Sequence, residues 1–120
     1  MTEEVEPSPA ESQLETIKAK FDDRIVTIAR LGDDYGEYEF VLTSPTEPEW
    51  DRLQKELKEA GSDPAKQKSA MKSAVLAQIR YPERTEVQKT FAKRPAMATN
   101  LVPILGRLAG VDAEEREKKL

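Results

Sequence analysis

Two adjacent pairs of carboxylates, Asp22-Asp23 and Asp33-Asp34, are the residues whose type and spacing come nearest to chemistry in this chain of 120 residues. Such pairs could hold a hard cation, but a calcium loop needs oxygen ligands at alternating positions and a closing Glu. The run from Asp33 to Glu37, DDYGE, has neither in full. The expected role of Asp33 and Asp34 is to form a turn, because a short Asp side chain bonds to backbone two residues on. Histidine and cysteine are absent. That removes Ser-His and Cys-His nucleophile pairs, imidazole and thiolate metal sites, and disulfides. The glycines of GDDYG, Gly32 to Gly36, lack the Gly-Lys-Ser/Thr ending of a phosphate cradle and lie between strand-like runs rather than before a helix. Lys and Tyr remain, but environment sets their pKa and nothing in the order of residues singles one out. The expectation is a protein that is not an enzyme, with no catalytic, metal or cofactor-binding residues.

Charge divides along the chain. Residues 1–63 carry 17 acids and 7 bases, whereas residues 64–107 carry 9 bases against Glu83 and Glu86 alone. An acidic partner, or another copy of the chain, would be steered to the basic half. Lys66, Lys68, Lys72, Arg80, Arg84, Lys89, Lys93 and Arg94 are the candidates for phosphate contact. Against nucleic acid stand the overall acidity, a shortage of aromatic residues for base stacking, and no helix-turn-helix signature.

Helical and strand-like periodicities give an α+β fold, predominantly helical, with an N-terminal β-hairpin packed on about four helices. Residues 1–12 mix Glu, Pro and Ser and read as a disordered acidic tail. Leu14, Ile17 and Phe21 allow a short helical turn. Arg24 to Leu31 is rich in β-branched residues, and Glu37 to Thr43 places Tyr38, Phe40 and Leu42 on one face by alternation, so the two form a hairpin with one face covered by helices. Thr46 and Glu49 spell a capping box for a helix in which Trp50, Leu53, Leu57 and Ala60 are buried and Gly61 is the stop. Asp63-Pro64 opens a second helix running to Tyr81, with Met71, Ala74, Val75 and Gln78 or Ile79 inward. A third, Glu83 to Lys93, has only Val87 and Phe91 as apolar contacts. Pro95 opens a fourth, which Pro103 should kink. Residues 13–110 make one domain, and residues 111–120 a charged flexible tail. No apolar run reaches the roughly 20 residues needed to span a bilayer, and the acidic start is no export signal, so the expected location is the cytoplasm.

Residues 95–110, PAMATNLVPILGRLAG, are the one sustained apolar stretch, with Arg107 its only ionisable side chain. Most of a face made by Met97, Leu101, Ile104, Leu105 and Leu108 would ordinarily pack inside its own domain. A third helix with two apolar anchors covers it poorly, however. Part of it is expected to remain open for a partner helix, which makes these five the candidate partner-binding residues.

The order of parts resembles the small tail assembly chaperones of long-tailed bacteriophages and prophages. The resemblance rests on EFVLTSPTEPEW and on YPERTEVQKTFAKRPAMATNLVPILGRLAG, in particular Pro45, Thr46, Glu49, Pro82, Glu86, Pro95, Ala96, Ala109 and Gly110. It implies a chaperone in the cytoplasm of a bacterial host that binds an aggregation-prone tape measure protein and helps recruit tail tube subunits. Two alternatives stand beside it: a small acidic regulatory or adaptor protein of a mobile element that binds a folded partner, and a nucleic-acid-associated accessory protein. The resemblance also implies a longer, frameshifted form, since Lys118-Lys119 can be written by an A-rich slippery heptamer. Sequencing the coding DNA checks this; AAG-AAG in an unslippery context would count against it.

Overall fold

A computed structural model of the chain describes residues 6–114. Residues 1–5 and 115–120, including Lys118-Lys119, lie outside the described residues. In order the elements are α1 (Pro9–Lys20), β1 (Val26–Asp33), β2 (Gly36–Thr43), α2 (Glu47–Ala60), α3 (Pro64–Gln78), β3 (Ile79–Tyr81), α4 (Arg84–Lys93) and α5 (Ala96–Leu108). The fold is α+β and mostly helical, with the hairpin packed on helices.

The hairpin forms as its turn chemistry dictates. Antiparallel pairing runs unbroken from Val26↔Thr43 to Asp33↔Gly36. At the tip the Asp33 carboxylate accepts the Tyr35 N–H at 2.9 Å, and Gly36 takes a φ of 152° that a side chain would disfavour. The capping box of α2 is complete. Glu49 accepts the Thr46 N–H at 2.9 Å while the Thr46 hydroxyl accepts the Glu49 N–H at 3.4 Å. Asp63 caps α3 through the amides of Ala65 and Lys66.

Three expectations need correction. The helix from Pro64 ends at Gln78, and Ile79–Tyr81 pairs with β2 instead, giving a sheet of order β1-β2-β3. Pro82 would stop a helix at Tyr81, but edge pairing draws off the three residues before it. The segment 1–12 is not all tail: Ser8 caps α1, Pro9 opens it, and Ala10 is fully buried. Ser8-Pro9 is the same cap-and-proline start as Asp63-Pro64, set among acidic residues that disguise it. Among the described residues there are therefore five helices, and both faces of the sheet are covered, not the single face expected. Beyond α5, Val111 and Asp112 form a turn, with the Val111 N–H donated to the Gly106 carbonyl at 2.9 Å.

The larger core lies on the face of Phe40 and Leu42. Leu53, Val75, Val87, Phe91, Met97, Leu101 and Leu105 close on it from α2 to α5. Phe40 and Phe91 meet with ring centroids 6.1 Å apart and tilted by 48°, a geometry that contributes about 0.5–1.5 kcal/mol beyond burial. Trp50, expected as a buried anchor of the core, is only partly buried and packs against it. On the opposite face, Val41 packs with Ala10 and Ile17 of α1, flanked by Leu14, Phe21 and Ile28.

A polar knot fastens the sheet to both helical layers. Thr43 and Gln78 are sealed from solvent, and the Thr43 hydroxyl donates to Gln78 Oε1 at 2.8 Å. Arg24 donates to the same oxygen at 3.2 Å and pairs with Glu49 at 3.4 Å. Arg80 donates to Thr43 at 3.2 Å, with its guanidinium 4.3 Å from the Phe21 ring centroid, a cation–π stack that ties α1 to β3. Burial lowers the Arg80 pKa, as does the charge of Arg24, while Glu49 opposes the shift. Burial pushes the Glu49 carboxyl up. Hydrogen bonds from Thr46 and Gln78 and the charge of Arg24 outweigh that push and hold it below its ordinary value.

Leu101→Ala should cost about 2–5 kcal/mol of unfolding free energy, read as a lower urea midpoint, because Leu101 is fully enclosed. A carboxyl with a depressed folded pKa adds stability that is present above the ordinary value, here 4.5, and lost as pH falls through the folded value. Glu49→Gln should therefore melt below the parent at neutral pH and lose less on acidification, as thermal melts across the acid range would show.

Candidate functional site

The five apolar residues of α5 do not stand together at the surface. Met97, Leu101 and Leu105 are 6%, 0% and 2% exposed and belong to the core, while Ile104 and Leu108 are partly buried against it. The expected open face is thus corrected at three of its five positions. The physical reason is that α5 lies chiefly on α3 and also reaches β1 and α4, so the sparsely apolar α4 is only part of its cover. Pro103 sits inside α5 without ending it.

Open space lies elsewhere, between α2 and α3. A cleft of about 350 Å³ is lined by Pro45, Trp50, Leu53, Ala74 and Ala77, with Leu105 contributing from α5. Glu49, Arg52, Glu56, Ser73, Gln78 and Arg84 make up its polar part. Each wall has a local cause. The capping box starts α2 at Glu47 and so sets Trp50 in the first turn, beside the cleft. On α3, the small side chains of Ala74 and Ala77 leave unfilled the volume that a Leu would occupy. Glu49 and Gln78 are held by the polar knot, so this end of the cleft is rigid and already hydrogen-bonded. The mouth is open: Ala77 and Arg84 are exposed, and the Arg52 side chain, paired with Glu56 at 3.1 Å, is 81% exposed.

Sequence reasoning places Trp50, Leu53 and Ala74 in the core and does not foresee the cleft. The available signal is the alanine spacing on α3, Ala70, Ala74 and Ala77, opposite the chain's one Trp.

The charged candidates are scattered rather than convergent. Asp33 and Arg94 form a bidentate pair, Arg94 also lying near the Tyr35 and Tyr38 rings. Hydrogen bonding from Arg94 holds the Asp33 carboxyl below its usual range, helped by the Tyr35 amide, and the same contact raises the Arg94 pKa. Both residues serve the turn. Among the described residues no cluster of acids has the arrangement to hold a metal ion. Of the eight candidate phosphate ligands, Arg80 lies in the knot, Arg94 is clamped to Asp33, and Lys89 pairs with Glu86 at 3.5 Å. Lys66 shares a groove with Glu56 and Glu59, so α2 and α3 partly neutralise each other. Lys68 and Lys72 border another groove of about 350 Å³, walled by Phe91, Pro95 and Ala98. No helix among the described residues is long and apolar enough to cross a membrane.

No family model matches the chain, and no curated protein matches it in sequence. One solved structure is similar: an uncharacterised protein, rbstp2171, from Bacillus stearothermophilus, with a TM-score of 0.65 and 24% identity. The match covers 87% of this chain and 98% of that one. At this identity the likeness carries the fold alone, an arrangement of helices and sheet that the two proteins share over nearly their whole length.

Proposed function

We propose that the protein binds an amphipathic helical segment of a client protein without catalysing a reaction, as a tail assembly chaperone would bind a tape measure protein and help recruit tail tube subunits around it. The observation that carries the reading is the α2–α3 cleft, which joins an apolar wall that includes Trp50, Leu53 and Leu105 to polar and ionised side chains. Its volume suits large apolar side chains, though not a whole helix, so a client would insert anchors spaced three or four residues apart while its backbone stayed outside. Charged residues around the mouth would keep such a complex soluble. Ile104 and Leu108, the members of the α5 face that are not sealed, add apolar surface on the neighbouring helix.

The adaptor alternative shares these features and differs in its client, a folded surface rather than a helix. For nucleic acid, the scattered positions of Arg80, Arg94 and Lys66 offer little support.

Trp50 is the only Trp, so its emission reports directly on the cleft. If a neighbouring gene encodes a long tape measure protein, titration with overlapping peptides from it should shift that emission and give saturable binding. Ala77→Arg, an exposed change to a good helix former, should weaken binding at least about tenfold and leave the melting temperature unchanged, because it blocks the trough without touching the core. Emission that stays unmoved by every peptide would sink the reading. Binding that falls steeply with salt and survives Ala77→Arg would move the contact to the lysines.

A further inference from the structure

We infer that the free edge of β1 is a self-association surface, through which two copies pair antiparallel to make one continuous six-stranded sheet. The pairing is independent of what the cleft binds.

Hydrogen-bond accounting leads to it. Ser44 donates its N–H to the Ile25 carbonyl at 2.8 Å, which fixes the phase of the β1–β2 ladder: odd-numbered residues of β1 bond to β2. Val26, Ile28, Arg30 and Gly32 must then turn their N–H and C=O groups away from β2. Because β1 is terminal in the sheet order, these groups point out of the sheet. Among the described residues no hydrogen bond reaches them. The helices α1 and α5 pack on the two faces of β1, against Ile28 and Val26 and against Ala29 and Leu31, and leave its edge open.

Exposed edges are ordinarily blunted by Pro, Lys, a bulge or shortness. β1 has eight residues, VTIARLGD, with no Pro, no Lys and no bulge against β2. Its one cation, Arg30, is already engaged by Glu11 at 2.8 Å and Glu39 at 2.9 Å. The edge therefore has the character of a pairing surface.

A second copy is the occupant because the strand complements itself. With Ala29 opposite the partner's Ala29 on the two-fold axis, Val26 lies across from the partner's Gly32 and Ile28 from the partner's Arg30, so every outward backbone group finds a mate. No like charges oppose one another within the paired segment. Ile25, 60% exposed just before β1, and Tyr35, 87% exposed in the turn after it, flank the two ends of that paired segment.

Sedimentation of the full chain at tens of micromolar should give twice the 13.5 kDa of one chain. Amide exchange, read residue by residue, should find Val26, Ile28, Arg30 and Gly32 as protected as Thr27, Ala29 and Leu31. The absence of native cysteine allows a cross-linking test as well. Thr27 and the partner's Leu31 face each other as a non-hydrogen-bonded pair with Cα atoms about 4.5 Å apart, within disulfide range. Thr27→Cys combined with Leu31→Cys should oxidise to a covalent dimer, and neither single variant should. A monomer at all concentrations overturns the proposal, as does a dimer whose four edge amides exchange freely or which cross-links through a single cysteine. Edge amides that become protected only when a client peptide is added would assign the edge to a client strand and overturn self-pairing.

Discussion

Four consecutive residues of β2, Phe40, Val41, Leu42 and Thr43, are at most 1% exposed, and that enclosure constrains the rest of the molecule. Side chains of a strand alternate between faces, so four sealed neighbours require cover on both. The helices from α2 to α5 supply one cover and α1 the other. Backbone groups of a buried strand also need partners on both edges, which β1 and β3 provide. Where β2 runs out at Thr43, its hydroxyl passes into the knot with Gln78 and Arg80, so the end of the strand is satisfied by side chains rather than water.

The most apolar segment of the chain serves this enclosure. Buried area stabilises in proportion to the apolar surface removed from water, and Met97, Leu101 and Leu105 belong to the larger core. A face of that strength is consumed by folding. Open space falls instead to a seam where side chains are too small to fill the gap, between Trp50 on α2 and the alanines of α3. Interiors pack to high density, so an unfilled trough with a firm polar end marks a place where the chain did not complete its own packing.

Charge follows a similar logic. Written out, the chain is polarised, with acids concentrated before Asp63 and bases after it. Folding brings α2 and α3 side by side, however, and Lys66 comes to lie beside Glu56 and Glu59. Most ion pairs among the described residues have a largely exposed member, such as Lys55 with Glu59, and contribute little each. The knot differs because Arg24, Glu49 and Arg80 are partly withdrawn from water and linked through two sealed polar residues.

Local chemistry was legible in the residues alone. The Asp33–Gly36 reversal, the Thr46–Glu49 box, the Asp63 cap and the inward pair Val87 and Phe91 depend on neighbours within one turn of chain, where spacing and side-chain type suffice. Alternation likewise put Phe40 and Leu42 on a common face. What the residues could not disclose is which surfaces meet. Val41 reads as outward until α1 covers it, Ile79–Tyr81 reads as helix until β2 offers an edge, and Leu101 reads as a binding face until α3 and the sheet close over it. Those outcomes are decided by contacts between segments far apart in the chain, whose energies exceed local propensity and leave no mark in the spacing of either partner.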